Sequence, residues 1–128
     1  MCQCVRLSAG CWTGDDTIEI SVPSQIQIGG RTYRLELTPH LVADTGNRAE
    51  VCNPHCVIRV EQRQSAELRM AGLLHELVHA IGAIYLGSED FINEAMTESL
   101  ANGLHQVLGE LGIKLVWQDS CQVVSGGE

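Results

Sequence analysis

Two histidines separated by three residues form the most specific chemical pattern in this chain. Residues 75–79 read His-Glu-Leu-Val-His, so His75 and His79 are four positions apart and Glu76 lies between them. On an α-helix, positions i and i+4 lie about 40° apart around the axis and about 6 Å apart along it, so both imidazoles face one side. Two imidazoles at this spacing can bind one zinc ion, and a neighbouring glutamate can reach a water on that ion. The pattern therefore indicates a metal site with a general base beside it.

A site of this type needs a third protein ligand and an open fourth position. Glu94 and Glu98 lie one helical turn apart downstream of the histidines, and Asn102 follows one turn later. If two helices form a hairpin, this face comes to lie opposite His75 and His79. A three-residue site uses only one of the two glutamates, and the other would be an ordinary solvated side chain.

The helices that must position these residues are visible in the apolar spacing. Apolar residues recur at helical intervals from Ala66 to Leu86, with Ser65 as N-cap and Gly87 after the last turn. A second helix is predicted over Glu89–Leu111, with Ser88 as its cap and Gly112 at its end.

The strands are indicated by alternation of apolar and polar residues. Two strands, Gln25–Ile28 and Arg31–Leu37, are predicted to form a hairpin around a Gly29-Gly30 turn. Further strands are predicted over Thr17–Val22, Cys56–Val60 and Ile113–Trp117. Residues 38–55 are expected to be a loop. We therefore expect one α+β domain over residues 1–128, with a small antiparallel β-sheet followed by two main helices. Its first 16 residues are a Cys-rich segment, and residues 118–128 are expected to be a loose tail.

The two helical segments resemble a known family. The stretch LLHELVHAIG at 73–82, followed by TESLANGL at 97–104, is similar to the ImmA/IrrE-like zinc metallopeptidases and their short phage and prophage relatives. The resemblance implies a minimal zincin-like domain in which His75, His79 and Glu98 bind zinc and Glu76 is the catalytic base. Glu94 and Asn102 would then support the ligands or lie at the surface.

The function implied by the resemblance is a zinc-dependent endopeptidase. It would hydrolyse peptide bonds in a protein or peptide substrate, such as a regulatory protein, with a zinc-bound water activated by the Glu76 carboxylate. A catalytically weak metal-binding protein that binds a regulator is the alternative, and a structural domain with a chance motif is a third interpretation. Glu76 favours an enzyme, because metal binding alone requires no base. The short strand Cys56–Val60 is expected to be a sheet edge that could pair with an extended substrate.

The donor that would stabilise the oxyanion is left open by the sequence. Each candidate is more typical of a structural role, and the candidates are Tyr33, His40, His55, Tyr85 and His105.

Composition excludes several classes of partner. The formal net charge is -8 and only 8 residues are Lys or Arg, so no basic surface is available for nucleic acid or for anionic membranes. No apolar run approaches the roughly 20 residues of a membrane span, and the first residues do not read as a secretory signal. A cytoplasmic location is the expectation, and the sequence leaves the oligomeric state open.

Six cysteines are many for such a chain, at positions 2, 4, 11, 52, 56 and 121. Cys52 and Cys56 flank a Pro-His pair and form a candidate second metal site, although the spacing differs from the usual C-x-x-C pattern. Buried or unused thiols are the simpler interpretation.

Overall fold

Six strands and three helices lie in the residues that the computed structural model describes, 17–87 and 93–117. The predictions for residues 1–16 and 118–128 lie outside this part of the chain. In chain order the elements are β1 (Ile18–Ser21), β2 (Gln25–Ile28), β3 (Arg31–Thr38), α1 (Leu41–Thr45), β4 (Ala49–Cys52), β5 (Val57–Glu61), α2 (Ala66–Tyr85), α3 (Glu94–Glu110) and β6 (Ile113–Val116).

The main sheet has four strands in the order β2-β3-β5-β4. The α+β class with two main helices is confirmed, but the prediction of an antiparallel sheet is wrong for one pair, because β3 and β5 run parallel. A parallel pair needs a crossover connection, and here α1 and β4 supply it. The expected loop over residues 38–55 therefore contains a short helix and the edge strand of the sheet.

Helix α2 begins and ends close to its predicted bounds. Its N-cap is Ser65, whose side chain accepts a hydrogen bond from the Leu68 backbone N–H. One face of α2 packs on the sheet through Leu73 and Ala80, which belong to the main core with the buried strand residues Tyr33, Leu37, Ile58 and Val60. A second face packs against Ala101 of α3 through Met70, Leu74 and Val78. Both apolar faces are thus used, and the histidine face lies between them.

Helix α3 starts five residues later than predicted. Asn93, rather than Ser88, is its N-cap, and the Asn93 side chain accepts a hydrogen bond from the Met96 N–H at 2.8 Å. Asparagine is among the best N-cap residues, because its side-chain oxygen satisfies a free amide of the first turn. Residues 88–92, including the predicted cap, lie outside the described part of the chain. The later start makes Glu94 the first residue of α3.

Strands β1 and β6 pair in parallel as a separate two-stranded sheet. Both were predicted as strands, although the sequence does not indicate that they pair with each other. No helix in residues 17–87 or 93–117 has both the length and the apolar character that a membrane crossing requires.

The buried carboxylate of Glu61 anchors α1 to the end of β5. It accepts hydrogen bonds from the Val42 N–H at 2.7 Å and from the Arg63 N–H at 2.9 Å. Burial alone would raise the pKa of Glu61, but hydrogen bonds from backbone amides, those of His40 and Leu41 included, outweigh it and hold the pKa below its usual value of 4.5. Glu61 therefore takes the place of a side-chain cap for α1, since His40 provides none.

We expect Glu61→Gln to destabilise the fold by about 1–3 kcal/mol at pH 7, because an amide cannot accept from all of these donors. A lowered pKa in the folded state gives stability that is present above the unfolded pKa and is lost as the pH falls through the folded pKa. The difference in unfolding free energy between Glu61→Gln and wild type should therefore shrink below about pH 4.5. Urea unfolding at pH 7 and at low pH measures this, with the exposed Glu19→Gln as control. A difference that is independent of pH would contradict the role of the charged carboxylate.

Candidate metal centre

The carboxylate of Glu94 contacts both histidines of the motif at once. Its Oε2 lies 2.9 Å from Nε2 of His75, and its Oε1 lies 3.0 Å from Nε2 of His79. The two imidazole rings are 5.0 Å apart between centroids and inclined by 66°. The histidines come from one face of α2 and the carboxylate from the first turn of α3, so the helix pair brings the three side chains together.

These three residues fit a zinc ion in donor chemistry and in spacing. One ligating atom from each of His75, His79 and Glu94 lies within 4.8 Å of the other two. Two nitrogens and a carboxylate oxygen are ligands that zinc accepts, and donors around a tetrahedral zinc stand about 3.4 Å apart. The contacts with Glu94 would have to open by only about half an ångström to admit the ion. Within 17–87 and 93–117, no other set of three such residues comes together.

Glu98 lies on the opposite edge of the His75 ring. Its Oε1 is 3.1 Å from Nδ1 of His75, whereas Glu94 contacts Nε2 of the same ring. Histidines that bind metal through one nitrogen commonly donate the other ring N–H to a carboxylate, which fixes the tautomer and the ring orientation. The geometry favours Glu94 as the third ligand and Glu98 as the carboxylate that orients His75. The assignment of Glu98 as a ligand, which followed from the resemblance, stays a prediction.

The exposure of these groups argues against a mainly structural role. The imidazole side chains are largely buried, but the Glu94 and Glu98 side chains are 69% and 60% exposed. Ion pairs with so much solvent contact stabilise a fold little. The two glutamates are therefore a weak means of joining α2 to α3, and their convergence on the histidines suits a site that opens to solvent.

Glu76 lies on the side of α2 that turns toward the sheet, and only 9% of it is exposed. Burial raises the pKa of Glu76 to about 7; the nearby His79 lowers it, while the carboxylates of Glu94 and Glu50 raise it further. A carboxylate with such a pKa can accept and return a proton near neutral pH. The structure thus supports the chemical suitability of Glu76 as a base.

The edge strand β4 forms the wall opposite the histidines. It approaches α2 closely at Gly72, where an added Cβ would lie 3.1 Å from Cβ of Ala49. An open cleft of about 400 Å³ lies beside His75 and Glu94, and a smaller cleft that shares part of its lining extends toward His79. Residues shared by both clefts are Asn47, Ala49, His75, Glu76 and Glu94. Asn102 lines the larger cleft, as does Glu98.

Asn47 is a cleft residue that the sequence did not indicate. It lies in the segment between α1 and β4, which was expected to be an irregular loop, and only the pairing of β4 with β5 brings it beside α2. No periodicity in residues 38–55 marks it.

The candidates for an oxyanion donor lie away from the cleft. The Tyr33 hydroxyl donates to Oδ1 of Asn53 in the core, and His105 pairs with Glu67 at 3.0 Å. His55 contacts Cys52, His40 lines a different cleft near Glu61, and Tyr85 is 67% exposed. None of the five lines the cleft that contains Glu76.

The second metal site proposed for Cys52 and Cys56 is not assembled in the described residues. Sγ of Cys52 lies 3.0 Å from Nδ1 of His55, but the Cys56 thiol donates to the Asn53 carbonyl at 3.5 Å. Both thiols are free, and no third ligand from 17–87 or 93–117 joins them.

Comparisons of the chain with known protein families, with curated proteins and with solved structures found no match.

We expect the wild-type protein to hold one zinc ion per chain. His79→Ala and Glu94→Gln should lose it, because each removes a ligand, whereas Glu98→Gln should keep the stoichiometry and bind about 10- to 100-fold more weakly. Elemental analysis gives the stoichiometry, and competition with a chromogenic chelator gives the affinity. Glu67→Gln, which changes an exposed carboxylate toward the other end of α2, is the control. If Glu98→Gln loses zinc while Glu94→Gln keeps it, the two assignments are reversed.

Proposed function

We propose that this protein is a zinc-dependent endopeptidase that acts on protein or peptide chains. The observation that carries the proposal is the placement of Glu76 in the same cleft as the His75, His79 and Glu94 group. A base beside a three-residue metal site with an open side is the arrangement that metal-assisted hydrolysis requires. The resemblance of 73–82 and 97–104 to ImmA/IrrE-like peptidases supports the same function and suggests a regulatory protein as the substrate.

The residues of this chain divide the proposed reaction between them. Zinc, when bound, supplies Lewis acidity to the carbonyl and to the attacking water. The Glu76 carboxylate accepts a proton from that water and donates it to the leaving amine. His75, His79 and Glu94 hold the ion in place, and Glu98 keeps the His75 ring oriented through Nδ1.

Strand β4 is the part of the sheet that we propose binds substrate. The strand over Cys56–Val60 was expected to be a sheet edge; the structure contradicts this, because β5 lies between β3 and β4. β4 is the edge strand, and it lines the cleft through Ala49, Glu50 and Val51. An extended peptide that pairs with β4 would run past Glu76, with main-chain hydrogen bonds supplying affinity.

The environment of Glu76 favours catalysis over metal binding alone. Burial raises the pKa of the Glu76 carboxyl group to about 7, so keeping it charged at neutral pH costs stability. A protein that only bound metal would gain by replacing it with a neutral residue. Enzymes retain such destabilising groups where the chemistry needs them.

We place the activity in the cytoplasm, where free thiols such as Cys52 and Cys56 persist.

We expect Glu76→Gln to keep zinc and the fold but to lose hydrolysis by about 10²- to 10⁴-fold. Because the neutral amide is cheaper to bury, its melting temperature should equal or exceed that of wild type. A fluorescence-quenched peptide library measures cleavage, with Glu67→Gln as the matched control.

Equal cleavage by wild type and Glu76→Gln would remove Glu76 as the base. A zinc-loaded wild type that binds peptides from the library but cuts none would favour the alternative of a metal-binding interaction protein.

A further inference from the structure

A continuous apolar stripe runs along α3 and its C-cap, on the side next to the face that contacts α2. Five large side chains follow one another there at spacings of four, four, three and four residues, each between 45% and 54% exposed: Met96, Leu100, Leu104, Val107 and Leu111. The adjacent face of α3, about 100° away around the helix axis, packs on α2 through Thr97 and Ala101, which are buried. We call the five exposed side chains the outer stripe. A patch of this kind on a water-soluble surface marks an interaction site.

The outer stripe is complementary to itself under a two-fold axis. If a second α3 lies antiparallel with the axis between residues 103 and 104, Met96 faces Leu111 and Leu100 faces Val107 of the other copy. At the centre, Leu104 faces Gly103. Isologous contacts of this kind pair one surface with itself, as in most homodimers.

Gly103 supplies the space for such a crossing. It lies in the interior of an exposed helix, where glycine is unfavourable relative to alanine. A Cβ at Gly103 would meet nothing within 4 Å, so packing within the monomer does not require glycine. In the antiparallel pair, the missing side chain leaves a hole for Leu104 of the second copy. A large residue packing on glycine lets two helices approach closely.

The charges of α3 permit the antiparallel pair and oppose the parallel one. The chain carries a net charge of -8, so a contact between two copies is least unfavourable where no like charges meet across it. Glu94, Glu98 and His105 point toward α2, where they pair with its side chains. Glu110 lies at the border of the outer stripe. In the antiparallel pair the two copies of Glu110 lie at opposite ends of the contact, whereas a parallel pair would place them beside each other.

We propose that the protein forms an antiparallel homodimer through the outer stripe of α3. The contact consists of ten half-exposed side chains in total, which is small for a protein interface, so we expect a dissociation constant in the micromolar range. The proposal does not depend on metal or on peptidase activity.

Sedimentation equilibrium of the full chain, from about 1 to about 200 µM, tests the dimer. Wild type should convert from monomer to dimer over this range, and Leu104→Glu should weaken the association at least tenfold. Ile81→Glu, which places the same charge on an equally exposed position of α2, should leave it unchanged. Thermal unfolding checks that each variant is folded. A wild type that stays monomeric, or a dimer that Leu104→Glu does not weaken, overturns the proposal.

A mixing experiment tests the antiparallel arrangement. Leu100→Glu and Val107→Lys should each be monomeric alone, because each places two like charges against apolar residues. Mixed in equal amounts they should associate, since position 100 of one copy faces position 107 of the other and one opposite-charge pair forms. Parallel helices would bring position 100 against position 100, so the absence of association in the mixture contradicts the antiparallel dimer.

Discussion

The contact of one carboxylate, that of Glu94, with two imidazoles links the two halves of the candidate site. The histidines are fixed by α2, which packs against both the sheet and α3 and leaves only their face free. The carboxylate is fixed by the first turn of α3, and the Asn93 N-cap sets where that turn begins. The separation of the three donor groups therefore depends on where α3 starts and how it crosses α2. That crossing is held mainly by Met70, Leu74 and Val78 of α2, which pack against Ala101 of α3.

The same helix surface explains why Glu76 differs from the other glutamates. Glu94 and Glu98 extend into solvent, whereas Glu76 turns toward the sheet and is covered by β4. Gly72 permits that cover, because a side chain there would push Ala49 away. Burial then raises the pKa of Glu76, so one cleft holds carboxylates suited to metal binding and a carboxylate suited to proton transfer.

Local sequence patterns predicted the helices and strands better than they predicted which of these elements pack together. The spacing of apolar residues predicted α2 within one residue of its end, and alternation predicted β2 and β3 around Gly29-Gly30. The prediction of a loop over residues 38–55 is wrong, because α1 and β4 are too short to show a period. The hydrogen bond that anchors α1 is made with Glu61, which is distant in sequence. Because β4 was not predicted, β5 was expected at the sheet edge, and Asn47 was not recognised as a cleft residue. The roles of Glu94 and Glu98 could not be separated either, since both share one helix face and only the crossing of α2 and α3 distinguishes Nε2 from Nδ1 of His75.

The central claim is that His75, His79 and Glu94 hold one zinc ion beside Glu76. A crystal structure of the zinc-loaded protein, with anomalous diffraction recorded at the zinc edge, tests it most directly. The account predicts a single strong peak about 2.0–2.2 Å from Nε2 of His75, Nε2 of His79 and an oxygen of Glu94, with Glu98 retained on Nδ1 of His75. A peak bound to other residues, or no peak at the histidines, would contradict it.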